Sequence, residues 1–128
     1  MISIPKSALA MAFSTLAMVA VDASAATIRV TCEARPGRAK VSVDAKGLPA
    51  GSYSTAIVSG GNAAMAPAQA AVGGEAESDY DSNAGDIRAG ATAIASTFIV
   101  GGSLTGKVVD ASGNTVIADT VSCRVRSR

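Results

Sequence analysis

The sequence contains no histidine and no tryptophan, and only two tyrosines and two phenylalanines among its 128 residues. Without histidine there is no Ser-His-Asp or Cys-His activation of a nucleophile, no imidazole general base and no His-ligated zinc. A phosphate loop of the type G-x-x-x-x-G-K-S/T is missing, as is a G-x-G-x-x-G turn between a strand and a helix. Ser-x-x-Lys does not occur after residue 25. So few aromatics also leave little to line the apolar pocket that usually holds a small substrate. These absences predict a protein that is not an enzyme. Charge is scarce and balanced, with 11 basic and 10 acidic residues and a formal net charge of +1. A general nucleic-acid binder needs a clear positive excess to displace counterions, so that class is excluded too.

What is present begins with a leader. Lys6 is the only charge before Asp22, the run from Ala8 to Val21 carries no ionisable group, and Asp22-Ala23-Ser24-Ala25-Ala26 offers small residues for cleavage. A basic start, an apolar stretch and an Ala-x-Ala-like end make a secretory signal. Fourteen helical residues rise only about 21 Å, short of the roughly 30 Å of a bilayer's hydrocarbon layer. Residues 1–25 are therefore read as a cleavable signal peptide and 26–128 as the mature chain. No lipobox cysteine follows the signal, and no second hydrophobic segment could serve as a membrane anchor. The expected location is the periplasm or the medium.

Cys32 and Cys123 are the only cysteines. In an oxidising compartment they most simply form one intramolecular bridge. In the chain-entropy picture a loop of this length contributes on the order of 4–5 kcal/mol. Period-2 alternation puts Ile28, Val30 and Cys32 on one face of a first strand, and Val121, Cys123 and Val125 on one face near the end. Both cysteines should point into the core and pin the first and last strands together.

Between them, turn signals recur every 8–12 residues. They fall at Arg35-Pro36-Gly37-Arg38, Gly47 to Gly51, Gly60-Gly61-Asn62, Gly73-Gly74 and Asp110 to Asn114. Lys40 to Asp44, Ser52 to Ser59 and Ser103 to Asp110 alternate as strands. Ala63 to Val72 reads as a weaker strand interrupted by Pro67, and Asp86 to Ser96 as a loop with at most a helical turn. The apolar phase slips between Val116 and Val121, which predicts a bulge near Asp119. About seven short strands of this kind predict an all-β fold, a small antiparallel sandwich of immunoglobulin-like type, with a closed barrel as the alternative.

The densest charge lies at Glu75, Glu77, Asp79, Asp81 and Asp86, with the neutral Asn83 among them. Along an extended strand the alternate carboxylates share one face, about 6.6–7 Å apart. Asp79, Asp81, Asn83 and Asp86 partly meet the pattern of a calcium loop, so they are the candidate metal residues. Ala84 stands where an EF-hand loop needs Gly, and Gly90 where it needs the bidentate Glu, so any calcium binding should be weak, about 10⁻⁴–10⁻³ M. The same pattern also describes a solvated acidic strand face. No other cofactor is expected. Basic residues gather at Arg29, Arg35, Arg38 and Lys40 and again at Arg124, Arg126 and Arg128. The bridge brings those segments together, opposite the acidic one. The functional expectation is an exported binding module with a protein or glycan partner, presenting the acidic strand at 75–86 or the Ala/Gly-rich stretch Ala89 to Gly102. Two alternatives stand beside it. One is a self-assembling structural subunit, and the other an inhibitor of an exported hydrolase. A glycan partner would need exposed aromatics, for which only Tyr53, Tyr80 and Phe98 are available.

Overall fold

A computed structural model describes residues 26–127, and the leader read over residues 1–25 lies outside them. Along the chain run β1 (Thr27–Arg35), β2 (Arg38–Lys46), β3 (Ser52–Ser59), β4 (Asn62–Met65), β5 (Gln69–Ala70) and β6 (Ala76–Asp81). There follow α1 (Ala84–Arg88), β7 (Thr92–Ala93), β8 (Ser103–Asp110), β9 (Thr115–Ser122) and β10 (Arg124–Val125). Sheet A has the order β10-β1-β2-β6-β7. Sheet B has the order β4-β3-β8-β9, with β5 also on β3. The seven strands of four residues or more can be lettered A, B, C, C′, E, F and G. They then read A-B-E in one sheet and C′-C-F-G in the other, the arrangement of an immunoglobulin-like sandwich.

The alternation in the sequence determines which face is buried. Val41, Val43 and Ala45 of β2 point inward, with Ala76 and Tyr80 of β6 beside them, against Tyr53, Thr55 and Ile57 of β3 and Leu104 and Val108 of β8. No tryptophan fills the centre. Tyr80 takes that place, fully buried, its hydroxyl 2.6 Å from the hydroxyl of Thr55 on the opposite sheet. Tyr53 and Phe98 are buried as well, so no aromatic side chain is exposed among the described residues. Gly106 of β8 lies tight against sheet A. A Cβ there would sit 2.7 Å from a Val30 methyl, so only glycine fits.

Cys32 of β1 and Cys123, the residue between β9 and β10, form the expected bridge, with their Cα atoms 4.8 Å apart. The chain changes sheets at this point. It leaves sheet B after Ser122 and joins sheet A by pairing Arg124 and Val125 with Glu33 and Ala34. No ladder joins β1 to β9, so the molecule is an open sandwich and not the closed barrel considered as the alternative.

Four local expectations are corrected. The sheets are not wholly antiparallel, because the two-residue strands β10 and β7 pair in parallel with β1 and β6. The stretch around Pro67 is not one strand but two short ones, since proline has no amide hydrogen for the ladder. Asp86 to Ser96 does hold part of the helical turn allowed for it, but that turn begins earlier, at Ala84, and the stretch also contains the short strand β7. Asn83 caps α1 by accepting from the amides of Gly85 and Asp86, and Gly90, at φ +118°, lies just beyond the helix before β7 begins. The bulge lies at Val116 and not near Asp119, because Val108 pairs with Ile117 while Val109 pairs with Thr115. With that shift Ile117, Asp119 and Val121 share the inner face.

Candidate functional site: an acidic cleft beside β6

Strand β6 ends the long-stranded part of sheet A, and its free side is closed in three different ways. At its start the side-chain amide of Gln69 acts as a substitute strand, donating to the Glu77 carbonyl at 3.0 Å and accepting from the Glu77 amide at 3.2 Å. At its end β7 pairs with Tyr80 and Asp81. Beyond that, the 82–91 segment folds back over the sheet, with the Ser82 hydroxyl accepting from the Ala39 amide at 3.0 Å. Between these walls lies an open cleft of about 700 Å³. It is lined by Glu77, Asp79, Asp81 and Asp86, by the uncharged segments 66–69 and 89–92, and by Lys40 as its one basic residue.

Asp81 anchors the floor. It points outward by register, yet its side chain is only 3% exposed because Arg38 lies over it. The guanidinium donates to both Asp81 oxygens, at 3.1 and 2.9 Å, and to Asp86 Oδ2 at 2.7 Å. Asp81 Oδ1 also accepts from the Asn83 amide at 2.9 Å. Burial pushes the Asp81 carboxyl up, but the Arg38 and backbone hydrogen bonds together with the Arg38 charge outweigh it and hold the group below the usual aspartate range. Arg38 therefore fastens α1 to sheet A through a charge-assisted fork.

Of the four residues read as candidate calcium ligands, Asp81, Asn83 and Asp86 are brought together around Arg38 and the α1 cap. Asp79 stands exposed, in register with Ser42. The oxygens of Asp81 and Asn83 already have protein donors. A cation at Asp81 would have to replace a guanidinium of like sign.

A second group of carboxylates shares Glu77 with the cleft. Asp44 of β2 is in register with Glu77, and the carboxylate oxygens of Asp44, Glu75 and Glu77 lie within 4.8 Å of one another. Oδ1 of Asp44 is buried and has no hydrogen-bond partner among the described residues. Asp44, Arg38 and Gln69 were all missed as site residues. Arg38 and Asp44 come from β2, distant in sequence, and Gln69 from β5 just before β6, where no spacing rule marks a side chain that bonds the Glu77 backbone across the hairpin. The only available signal was the outward parity of Arg38 and Asp44, which becomes informative once β2 is known to pair with β6.

Comparison of this chain with protein-family models, with curated proteins and with solved structures found no match. Fold and site together define a class only: a small disulfide-stapled β-sandwich with one highly charged face and an open acidic cleft.

Proposed function

We propose that the protein is an exported, non-enzymatic binding module, and that its ligand surface is the acidic cleft beside β6. The observation that carries this reading is the cleft itself. Glu77 and Asp79 stand exposed with no ion pair among the described residues, Arg38 is taken up by Asp81 and Asp86, Lys40 is the only basic residue of the lining, and both walls are uncharged and rich in small residues. Such a surface fits an extended, basic protein segment better than a glycan, since sugars stack on exposed aromatics and Tyr53, Tyr80 and Phe98 are all buried. The disulfide and the signal-like leader support export. Attraction of this kind falls as salt rises.

The test uses a labelled Lys/Arg-rich decapeptide and fluorescence anisotropy at 50 mM and 300 mM salt. The mature protein should bind, with affinity falling as salt increases, and Glu77→Gln with Asp79→Asn should weaken binding at least tenfold. No binding at millimolar protein, or binding indifferent to both salt and the double variant, would remove the reading. Self-assembly is the second reading. The observation in its favour is β4, an edge strand without a charge whose Met65 is 57% exposed. Light scattering that shows assemblies larger than a monomer would put that reading first.

A further inference from the structure

We propose that Glu75 holds a proton against the Asp44 carboxylate, and that this proton fastens the crossover between the two sheets more tightly as the solution becomes acidic. The crossover is a two-residue hairpin. Val72 and Glu75 exchange backbone hydrogen bonds of 3.2 and 3.1 Å around Gly73 and Gly74, both with φ near +70°. On one side of it the chain leaves β5 of sheet B, and on the other it enters β6 of sheet A. The Leu48 amide donates to the Gly74 carbonyl at 2.9 Å, and a Cβ on Gly74 would press on the Leu48 carbonyl at 3.3 Å, so the hairpin is seated closely against the 47–48 loop.

Glu75 leaves this hairpin with its carboxylate beside those of Asp44 and Glu77. Three negative charges so close repel one another. In addition, a buried carboxylate oxygen with no donor, Asp44 Oδ1, is costly. A single proton on Glu75 answers both problems, because it cancels one charge and supplies the missing donor. The charged groups facing the pair are Arg29, in register with Asp44 on β1, Lys46 two residues along β2, and Glu77. Neither Arg29 nor Lys46 forms an ion pair with the cluster among the described residues. In agreement, the Glu75 carboxyl is held above its ordinary range, first by the hydrogen bond its protonated form can give Asp44 and by the Asp44 charge, then by burial and Glu77, with Lys46 opposing.

The sign follows from linkage. A carboxyl raised in the folded state adds stability below its unfolded value, and that stability is lost as pH rises through the folded value. Glu77 belongs to this cluster and also lines the cleft, so the proton changes the charge beside the proposed ligand surface.

The test is a carbon-detected NMR titration of the carboxyl groups in the full mature protein, together with urea unfolding of wild type, Asp44→Asn and Glu75→Gln between pH 4 and 7.5. Glu75 should titrate above the ordinary glutamate range and return to it in Asp44→Asn. Glu75→Gln should be more stable than wild type at pH 7, with the difference vanishing toward pH 4. An ordinary Glu75 titration in the wild type would overturn the proposal, and so would a stability difference for Glu75→Gln that is constant with pH. A shift of both carboxyl resonances by 1 mM calcium at pH 7, lost in Asp44→Asn, would also overturn it, because a cation and not a proton would then hold the pair.

Discussion

The two outer faces of the sandwich obey the same alternation and carry opposite chemistry. On sheet A the outward positions are Arg29, Glu33 and Arg35 on β1, Arg38, Lys40, Asp44 and Lys46 on β2, and Glu77, Asp79 and Asp81 on β6, with few uncharged residues between them. On sheet B they are Ala56 and Val58 on β3, Ala63 and Met65 on β4, Thr105 and Lys107 on β8, and Ala118 and Thr120 on β9, where Lys107 is the only charge. The inner faces serve one core and must match each other. Nothing in the packing requires the outer faces to differ. The difference shows where recognition chemistry is concentrated: the cleft, the Arg38 fork and the carboxylate cluster all lie on or beside sheet A, and none lies on sheet B.

The sharpest way to break the comparison is to remove one cation from each face. Arg38→Met leaves Asp81 buried without its guanidinium and should cost about 3 kcal/mol in urea unfolding, as expected when one member of a buried pair is deleted. Lys107→Gln, on the smooth face, should stay within about 0.5 kcal/mol of wild type. The pH dependence should also flatten. In the wild type the depressed Asp81 carboxyl contributes stability above its unfolded value, and this is lost as pH falls through the folded value. In Arg38→Met only the backbone hydrogen bonds oppose burial at Asp81, so the loss of stability toward low pH should shrink. Equal losses on the two faces would mean that the charges of sheet A are ordinary surface charges.

Next in size are two core changes that test whether the inner faces are as tightly shared as the outer faces are divergent. Gly106→Ala drives a methyl toward Val30 and should cost about 1–3 kcal/mol by overpacking. Tyr80→Phe leaves the buried Thr55 hydroxyl without its partner and should cost about 1–2 kcal/mol. Denaturant unfolding measures both, and a neutral Gly106→Ala would mean that β8 and β1 are free to move apart.

Much of this architecture was legible from residue order. The two-residue turns at Pro36-Gly37, Gly60-Gly61 and Gly73-Gly74 stand out, and strict alternation in β2 shows which of its side chains are buried, while in β3 Ala56 is buried as well as the inward Tyr53, Thr55 and Ile57. Cys32 and Cys123 point to the same face of their strands before any partner is known. What stayed hidden depends on pairing between strands distant in sequence. Asp81, Asn83 and Asp86 share a spacing that resembles a cation loop, and the sequence gives no sign that Arg38, 43 residues from Asp81, occupies that position. A helical turn was legible near Asp86, but not its start at Ala84, which the Asn83 cap sets before the helix-breaking Gly90. The bulge was displaced because the phase slip between Val116 and Val121 fixes only an interval, and the register against β8 decides the residue.

That register gives Asp119 a role which the smallest of these tests can isolate. β9 ends sheet B, and no described strand pairs with its outer side. Such an edge invites another chain, and a charge on the inner face of an edge strand is one of the devices that discourages it. Asp119 is placed in this way. It lies between Ile117 and Val121 on the inner face, opposite Gly106, which has no side chain to cover it, and it remains exposed. Asp119→Val would join Ile117 and Val121 into an unbroken apolar strip while removing no hydrogen bond of the described fold. Folding stability should change by less than about 0.5 kcal/mol. Association should increase nonetheless, as concentration-dependent mass in light scattering beyond that of the wild type, and Asp119→Lys should reverse it. If Asp119→Val associates no more than wild type, the β9 edge is protected by the Val116 bulge and the neighbouring disulfide alone. The edge would then owe nothing to the acid at position 119.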